Sequence, residues 1–109
     1  MILVTRLVPY SAMALWPFIL VKKKEMQHDA VLINHERIHH RQQLEMGIVL
    51  FYLVYLINYL FNLVKYRAHY KAYREIIFER EAYAMEADME YLKRREFWAF
   101  IRSLPTRTL

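Results

Sequence analysis

Residues 48–64 carry no charge and are almost wholly apolar, and the chain's single glycine, Gly47, stands directly before them. No other stretch limits the fold so tightly. A segment of this kind is buried in protein, covered by a partner, or placed in lipid. Its length is marginal for crossing a bilayer, which takes about 20 residues. Asn58 and Asn62 lie in its second half and count against deep burial in hydrocarbon. Gly47 is a natural place for a kink or helix end, since every other position carries a side chain.

The flanks differ from this segment and from each other. Residues 1–28 form an N-terminal region with β character. It is apolar to Val21 but broken by Pro9 and Pro17, too short and kinked for a good membrane span. Arg6 is its only early charge, and the apolar run before Ala12-Met13-Ala14 is brief, so no cleavable signal peptide is expected. Phe18-Ile19-Leu20-Val21 is rich in strand formers and predicts a short strand, with Leu3 to Val8 as its partner. Lys22-Lys23-Lys24 reads either as a solvated turn or as a contact with anionic lipid headgroups.

Asp29 is placed to cap a helix over 29–46, the apolar segment gives a second over 48–64, and a charged amphipathic helix follows over 66–102. Tyr66, Tyr70, Tyr73 and Ile77 give the last helix one apolar stripe, which reads as core packing. Lys71 with Glu75, and Glu90 with Arg94, have the spacing of ordinary helix-surface ion pairs. Pro105 ends it. The expected architecture is mainly α, one small domain over 1–109, with a short N-terminal β element.

The chain is 57% hydrophobic, has nine Tyr and carries a net charge of +5. Much apolar surface with few turns points to a membrane or partner, and the charge favours an anionic one. Membrane lipid is the better expectation. Nucleic acid is unlikely, because no Gly-rich clamp or binding motif occurs. A basic face with Lys65, Arg67, Lys71 and Arg74 leaves open an adaptor for an acidic protein or nucleic acid. The pattern sets no oligomeric state.

Chemistry concentrates in His35-Glu36-Arg37-Ile38-His39. On a helix, positions four apart share a face, so both imidazoles point the same way and can hold one metal ion. The intervening glutamate lies within reach of a metal-bound water. There is no cysteine, so further ligands must be His, Glu or Asp. Hydrolytic zinc takes three protein ligands and keeps one position for water. Glu79 is the first choice for the third ligand, with Glu86 and Glu75 as alternatives. His28, His40 and His69 read as surface or packing residues. Glu25-x-x-His28 and Glu36-x-x-His39 share the E-x-x-H form of di-iron carboxylate sites, but those draw such motifs from separate helices, with further Glu from two more.

His35-Glu36-x-x-His39 followed by a Glu on a later helix resembles the gluzincin type of zinc metallopeptidase. Glu79-Arg80-Glu81-Ala82-Tyr83-Ala84 is similar to the E-x-x-A-[ND] glutamate-helix pattern of that group, notably in ImmA/IrrE-like peptidases, and the small size is similar to the minigluzincins. The resemblance covers these two helices. It implies zinc held by His35, His39 and Glu79, Glu36 as general base, and a peptide or protein substrate. Tyr83 stands where those families place an Asn or Asp that orients a ligand His. Tyr83, Tyr73 and His69 are the residues available to stabilise an oxyanion or to support the ligands.

The metal and membrane readings constrain each other. If residues 48–64 crossed a bilayer once, His39 and Glu79 would lie on opposite sides. A hairpin turning near Asn58–Asn62 would bring them level. A turn at Lys65 would leave them out of step by about 17 Å, at roughly 1.5 Å per residue, unless a bend at Gly47 absorbed the difference. The leading expectation is zinc-dependent peptide hydrolysis at a membrane surface, membrane-associated with the motif on the cytoplasmic side. The competing one is a non-catalytic small basic membrane protein whose H-E-x-x-H is structural or accidental.

Overall fold

A computed structural model of the chain describes residues 1–8 and 11–103. The expected breaks at Pro9 and Pro105 lie outside those residues. The fold is mainly helical with a small N-terminal sheet, as the sequence patterns lead one to expect.

The sheet has three strands, β1 (Ile2–Val4), β2 (Ala12–Leu15) and β3 (Phe18–Val21), in the order β1-β3-β2. β3 is the strand expected at Phe18–Val21, and its partner does come from the Leu3 region. The pairing is parallel, however, with Leu3 opposite Leu20. The antiparallel neighbour is β2, with Ala14 opposite Ile19. Ala-Met-Ala-Leu has weak strand preference. Its place is fixed instead by a tight connection to β3 and by side chains from the helices: the Ala14 carbonyl accepts from Gln43 Nε2 at 3.0 Å and from the Tyr52 hydroxyl. Ile19 and Val21 pack with Ile33 on the inner face.

Helix α1 runs Ala30–Met46. Asp29 caps it, its side chain accepting from the Leu32 amide at 3.1 Å. It stops where a glycine permits: Gly47 has φ +83° and ψ 143°, backbone that L side chains rarely adopt. Helix α2 then runs Ile48–Tyr66 without interruption. The turn expected near Asn58–Asn62 is absent. Both asparagines instead stay helical and use their side chains to bind the returning chain: Asn62 donates to the Ala72 carbonyl at 3.1 Å, and Asn58 accepts from the Ile77 amide at 2.9 Å. The reversal comes later, at Arg67 in the left-handed region (φ 56°) and Ala68. The path from α1 to α2 bends at Gly47, whose φ and ψ lie outside the helical region.

The segment 66–102 is not one helix. It breaks into α3 (His69–Arg74), α4 (Ile77–Met85), α5 (Tyr91–Arg94) and a 3-10 turn at Ala99–Ser103. The breaks let one polypeptide meet two helices, since α3 packs on α2 while α4 packs on α1. The expected tyrosine stripe forms only part of the packing: Tyr73 and Ile77 pack against the core, Tyr70 is exposed, and Ala72, Ile76, Phe78 and Ala82 are fully buried. The expected pairs Lys71–Glu75 and Glu90–Arg94 are replaced by Arg80–Glu75, Lys93–Glu90 and Arg94–Asp88. A cluster of Phe51, Ile76, Phe78 and Phe100 ties α2, α4 and the 3-10 turn together, with Phe51 and Phe78 stacked at 4.5 Å.

Gly47 tests this account of the bend. A Cβ there would meet nothing within 4 Å, so any cost of substitution is conformational rather than steric. Gly47→Ala is expected to lower unfolding stability in urea by about 1–3 kcal/mol, with no loss of core packing.

Candidate metal centre

His35 and His39 lie one turn apart on α1, and both are buried. Facing them, α4 contributes Glu79, also buried. His35 Nε2 stands 2.9 Å from Glu79 Oε1, and His39 Nε2 stands 3.1 Å from the same oxygen. One ligand atom from each of the three lies within 4.8 Å of the others, a group that could hold a metal ion. The choice of Glu79 over Glu86 and Glu75 follows from this geometry. Glu75 pairs with Arg80. Glu86 reaches His35 from the other side, its Oε1 lying 2.8 Å from Nδ1.

The outer ring nitrogens set the direction of the inner ones. His39 Nδ1 lies 2.7 Å from Gln42 Oε1. An amide oxygen only accepts, so Nδ1 carries the proton. The Glu86 carboxylate asks the same of His35 Nδ1. In neutral imidazoles, both Nε2 lone pairs then point at Glu79, as metal ligands require. Without a metal, carboxylate and imidazole hold each other charged. Burial pushes His39 down, but the Glu79 carboxylate outweighs it and lifts His39 to about 9. Burial likewise pushes Glu79 up, but His39 and His35 hold it well below the usual carboxylate range.

Helix α2 adds a contact that sequence spacing did not reveal. The Tyr55 hydroxyl donates to Glu79 Oε2 at 2.6 Å, leaving Oε1 for the histidines. Behind the site runs a second missed set. Gln42 Nε2 donates to the Phe78 carbonyl at 3.1 Å and to Glu81 Oε1 at 2.9 Å. Glu81 Oε2 accepts from Arg95 Nε at 2.6 Å, and Arg95 also binds both oxygens of Glu45. Asn34, beside the first ligand, donates to the Glu86 and Asp88 carbonyls at 2.8 and 3.1 Å, closing the C-terminal end of α4. Gln42 lies on the ligand face of α1, three residues after His39, and that spacing is the signal that could have marked it. Asn34 lies about 100° round the helix from His35 and carried no such signal.

Glu36 is buried beside the triad and lines a cleft of 660 Å³ together with His35, His69, Tyr73 and Tyr83. Burial raises its carboxyl pKa; the histidines lower it in part, and Glu79 and Glu86 raise it further. A smaller cavity of 100 Å³ on its other side is lined by His39, Phe51, Tyr55 and Glu79. Tyr83 packs edge-on against the His35 ring at 4.5 Å, and its hydroxyl lies 2.8 Å from that of Tyr73. It supports His35 by packing, while hydrogen bonding to the ring's outer nitrogen falls to Glu86. His69 reaches the cleft wall, but its Nδ1 is 2.7 Å from the Tyr59 hydroxyl. His40 is held by the Phe18 carbonyl at 2.8 Å, and His28 is exposed; neither joins the triad.

No protein-family profile, curated protein or solved structure matches the chain.

Two variants probe the residues behind the triad. Gln42→Leu removes the acceptor that sets His39, and is expected to weaken metal binding about 10–100-fold in competition with a chromophoric chelator. Glu81→Gln tests the buried pair with Arg95. Burial pushes the Glu81 carboxyl up, but Arg95, Tyr91 and Gln42 outweigh it and lower its pKa. A folded pKa below the unfolded one stabilises above the unfolded value, about 4.3, and that stabilisation disappears as pH falls through the folded value. Glu81→Gln is therefore expected to cost about 2–3 kcal/mol at neutral pH. Urea titrations of variant and wild type should converge on acidification.

Proposed function

We propose that this chain is a membrane-associated zinc peptidase of the gluzincin kind, with its H-E-x-x-H motif on the cytoplasmic side. The observation that carries the reading is the convergence of two Nε2 atoms on one oxygen of Glu79, with the carboxylate of Glu36 beside them in a cleft. The donor set suits zinc. Two imidazoles and a carboxylate leave a fourth tetrahedral position open. With bonds of about 2.0–2.1 Å, tetrahedral ligands stand about 3.4 Å apart. The two imidazole nitrogens, at 2.9 and 3.1 Å from Glu79 Oε1, need to move off that oxygen by only a few tenths of an ångström.

A zinc ion held there supplies Lewis acidity, polarising a carbonyl and making water acidic near neutral pH. The protein's own groups do the rest. Glu36, with its raised pKa, takes a proton from the attacking water and returns it to the leaving amine. Its neighbours His35 and His39 are fixed by Glu86 and Gln42, so the base keeps its position relative to the ligands. The hydroxyl pair of Tyr83 and Tyr73 lines the same cleft and is placed to donate to developing negative charge on the substrate oxygen. The larger cleft admits an extended peptide or protein segment. Helix α2, long and apolar enough to cross a membrane, supports membrane association.

A second reading has one observation behind it. Among the described residues, no buried side-chain polar atom lacks a hydrogen-bond partner. The triad is thus satisfied by itself, as it would be in a non-catalytic basic membrane protein whose H-E-x-x-H is structural.

Metal content and hydrolysis separate the two. Protein purified without chelators is expected to hold zinc at one equivalent; no stoichiometric metal would leave the structural reading in place. Glu36→Gln should retain that metal and lose peptide cleavage about 100-fold or more. Equal cleavage by variant and wild type would assign the activity to a contaminant.

A further inference from the structure

The exposed side of α2 carries Val49, Leu50, Leu53, Leu56, Ile57, Leu60, Phe61 and Val64. At 100° per residue, all eight fall within an arc of about 140°. The opposite side is occupied: Phe51 packs in the core, Tyr55 binds Glu79, and Asn58 and Asn62 bind the returning chain. Between the two, Tyr52, Tyr59 and Tyr66 recur every seventh residue down one flank. Tyr52 and Tyr59 make their hydrogen bonds on the protein side, to Ala14 and His69, and the Tyr66 ring lies under the exposed Lys65 and Lys71.

We propose that α2 lies in the plane of an anionic bilayer, its apolar side sunk into the acyl region, and does not span the membrane. The inference rests on the membrane association proposed above and specifies its geometry. Three observations favour it. First, α3 and the start of α4 run back along the C-terminal half of α2. A span would carry Lys71, Arg74, Glu75 and Arg80 through hydrocarbon, where charges are strongly disfavoured. Second, the tyrosine row would cross the whole hydrocarbon in a span, but lies at one depth in an in-plane helix. That depth is the interface, where tyrosine is favoured. Third, no Asp or Glu occurs from Gly47 to Arg74, while Lys65, Arg67 and Lys71 are exposed there. This matches the charge of an anionic headgroup layer. The N-terminal end has its own anchor. The exposed Trp16 sits in the β2–β3 turn, and its amide is held at 2.8 Å by Gln43, a neighbour of Tyr52.

The chain has no cysteine, so single spin labels can be placed without removing native thiols. The test uses the full chain with Val49→Cys, Leu56→Cys or Val64→Cys, bound to vesicles of phosphatidylcholine with phosphatidylglycerol. Depth is read from collisions with oxygen and with a water-soluble nickel chelate. All three labels are expected at one depth, about 5–10 Å below the headgroups. Lys65, Arg67 and Lys71 changed together to Gln should weaken vesicle binding on the order of 100-fold. A graded profile, with Leu56 deepest and both ends in water, would overturn the in-plane seat and leave membrane association standing. Labels shielded from oxygen and coupled to each other in a concentration-dependent way would assign the face to a second copy of the chain and overturn the seat. No binding to anionic vesicles would overturn the seat and the membrane association together. The zinc reading is decided separately, by metal content of the same preparations.

Discussion

One carboxylate holds three helices of this molecule together. Glu79 takes both motif histidines on Oε1 and Tyr55 on Oε2, so α1, α2 and α4 meet at a single buried group. A buried carboxylate is tolerated only where such partners replace water. The two histidines also answer to further groups: His35 to Glu86, and His39 to Gln42, which in turn binds Glu81. The placement of the helices and the chemistry of the site are therefore one problem. The bend at Gly47 and the break before α4 are the backbone features that let three helices reach the same atom.

The centre of the site was legible because its chemistry imposes a spacing. Two histidines four apart on a helix must share a face, and a third ligand must come from another element. What surrounds the triad was not legible, for a specific reason. Glu45, Glu81 and Arg95 are charged residues in amphipathic stretches, and such residues usually face water. Here they face inward because Arg95 pairs with both carboxylates, and that depends on long-range packing between α1, α4 and the segment after α5. Tyr55 was hidden in the opposite way, as one more aromatic in an apolar run.

The fold shows the same division. Asp29 as a cap, Gly47 as a stop and Phe18–Val21 as a strand are local decisions, and each holds. The long helix over 66–102 fails because amphipathic periodicity says nothing about how many partners a face must meet. A straight helix could pack on α2 or reach α1, but not both. β2 escaped notice since its pairing depends on Gln43 and Tyr52, residues far along the chain.

Asn34 and Gln42 have a joint consequence. Asn34 binds the chain at Glu86 and Gln42 binds it at Phe78, so α1 and α4 run antiparallel and are pinned at two places, on either side of the triad. Sliding one helix past the other by a turn, about 5.4 Å, would break both pins at once. The ligand geometry is thereby fixed by amide hydrogen bonds that involve no ion. In small zinc domains that fold only around their metal, the ion is a structural member. Here it would be a guest in a finished room, and the free energy of its binding would go to the ion and its chemistry, with little needed to order the chain.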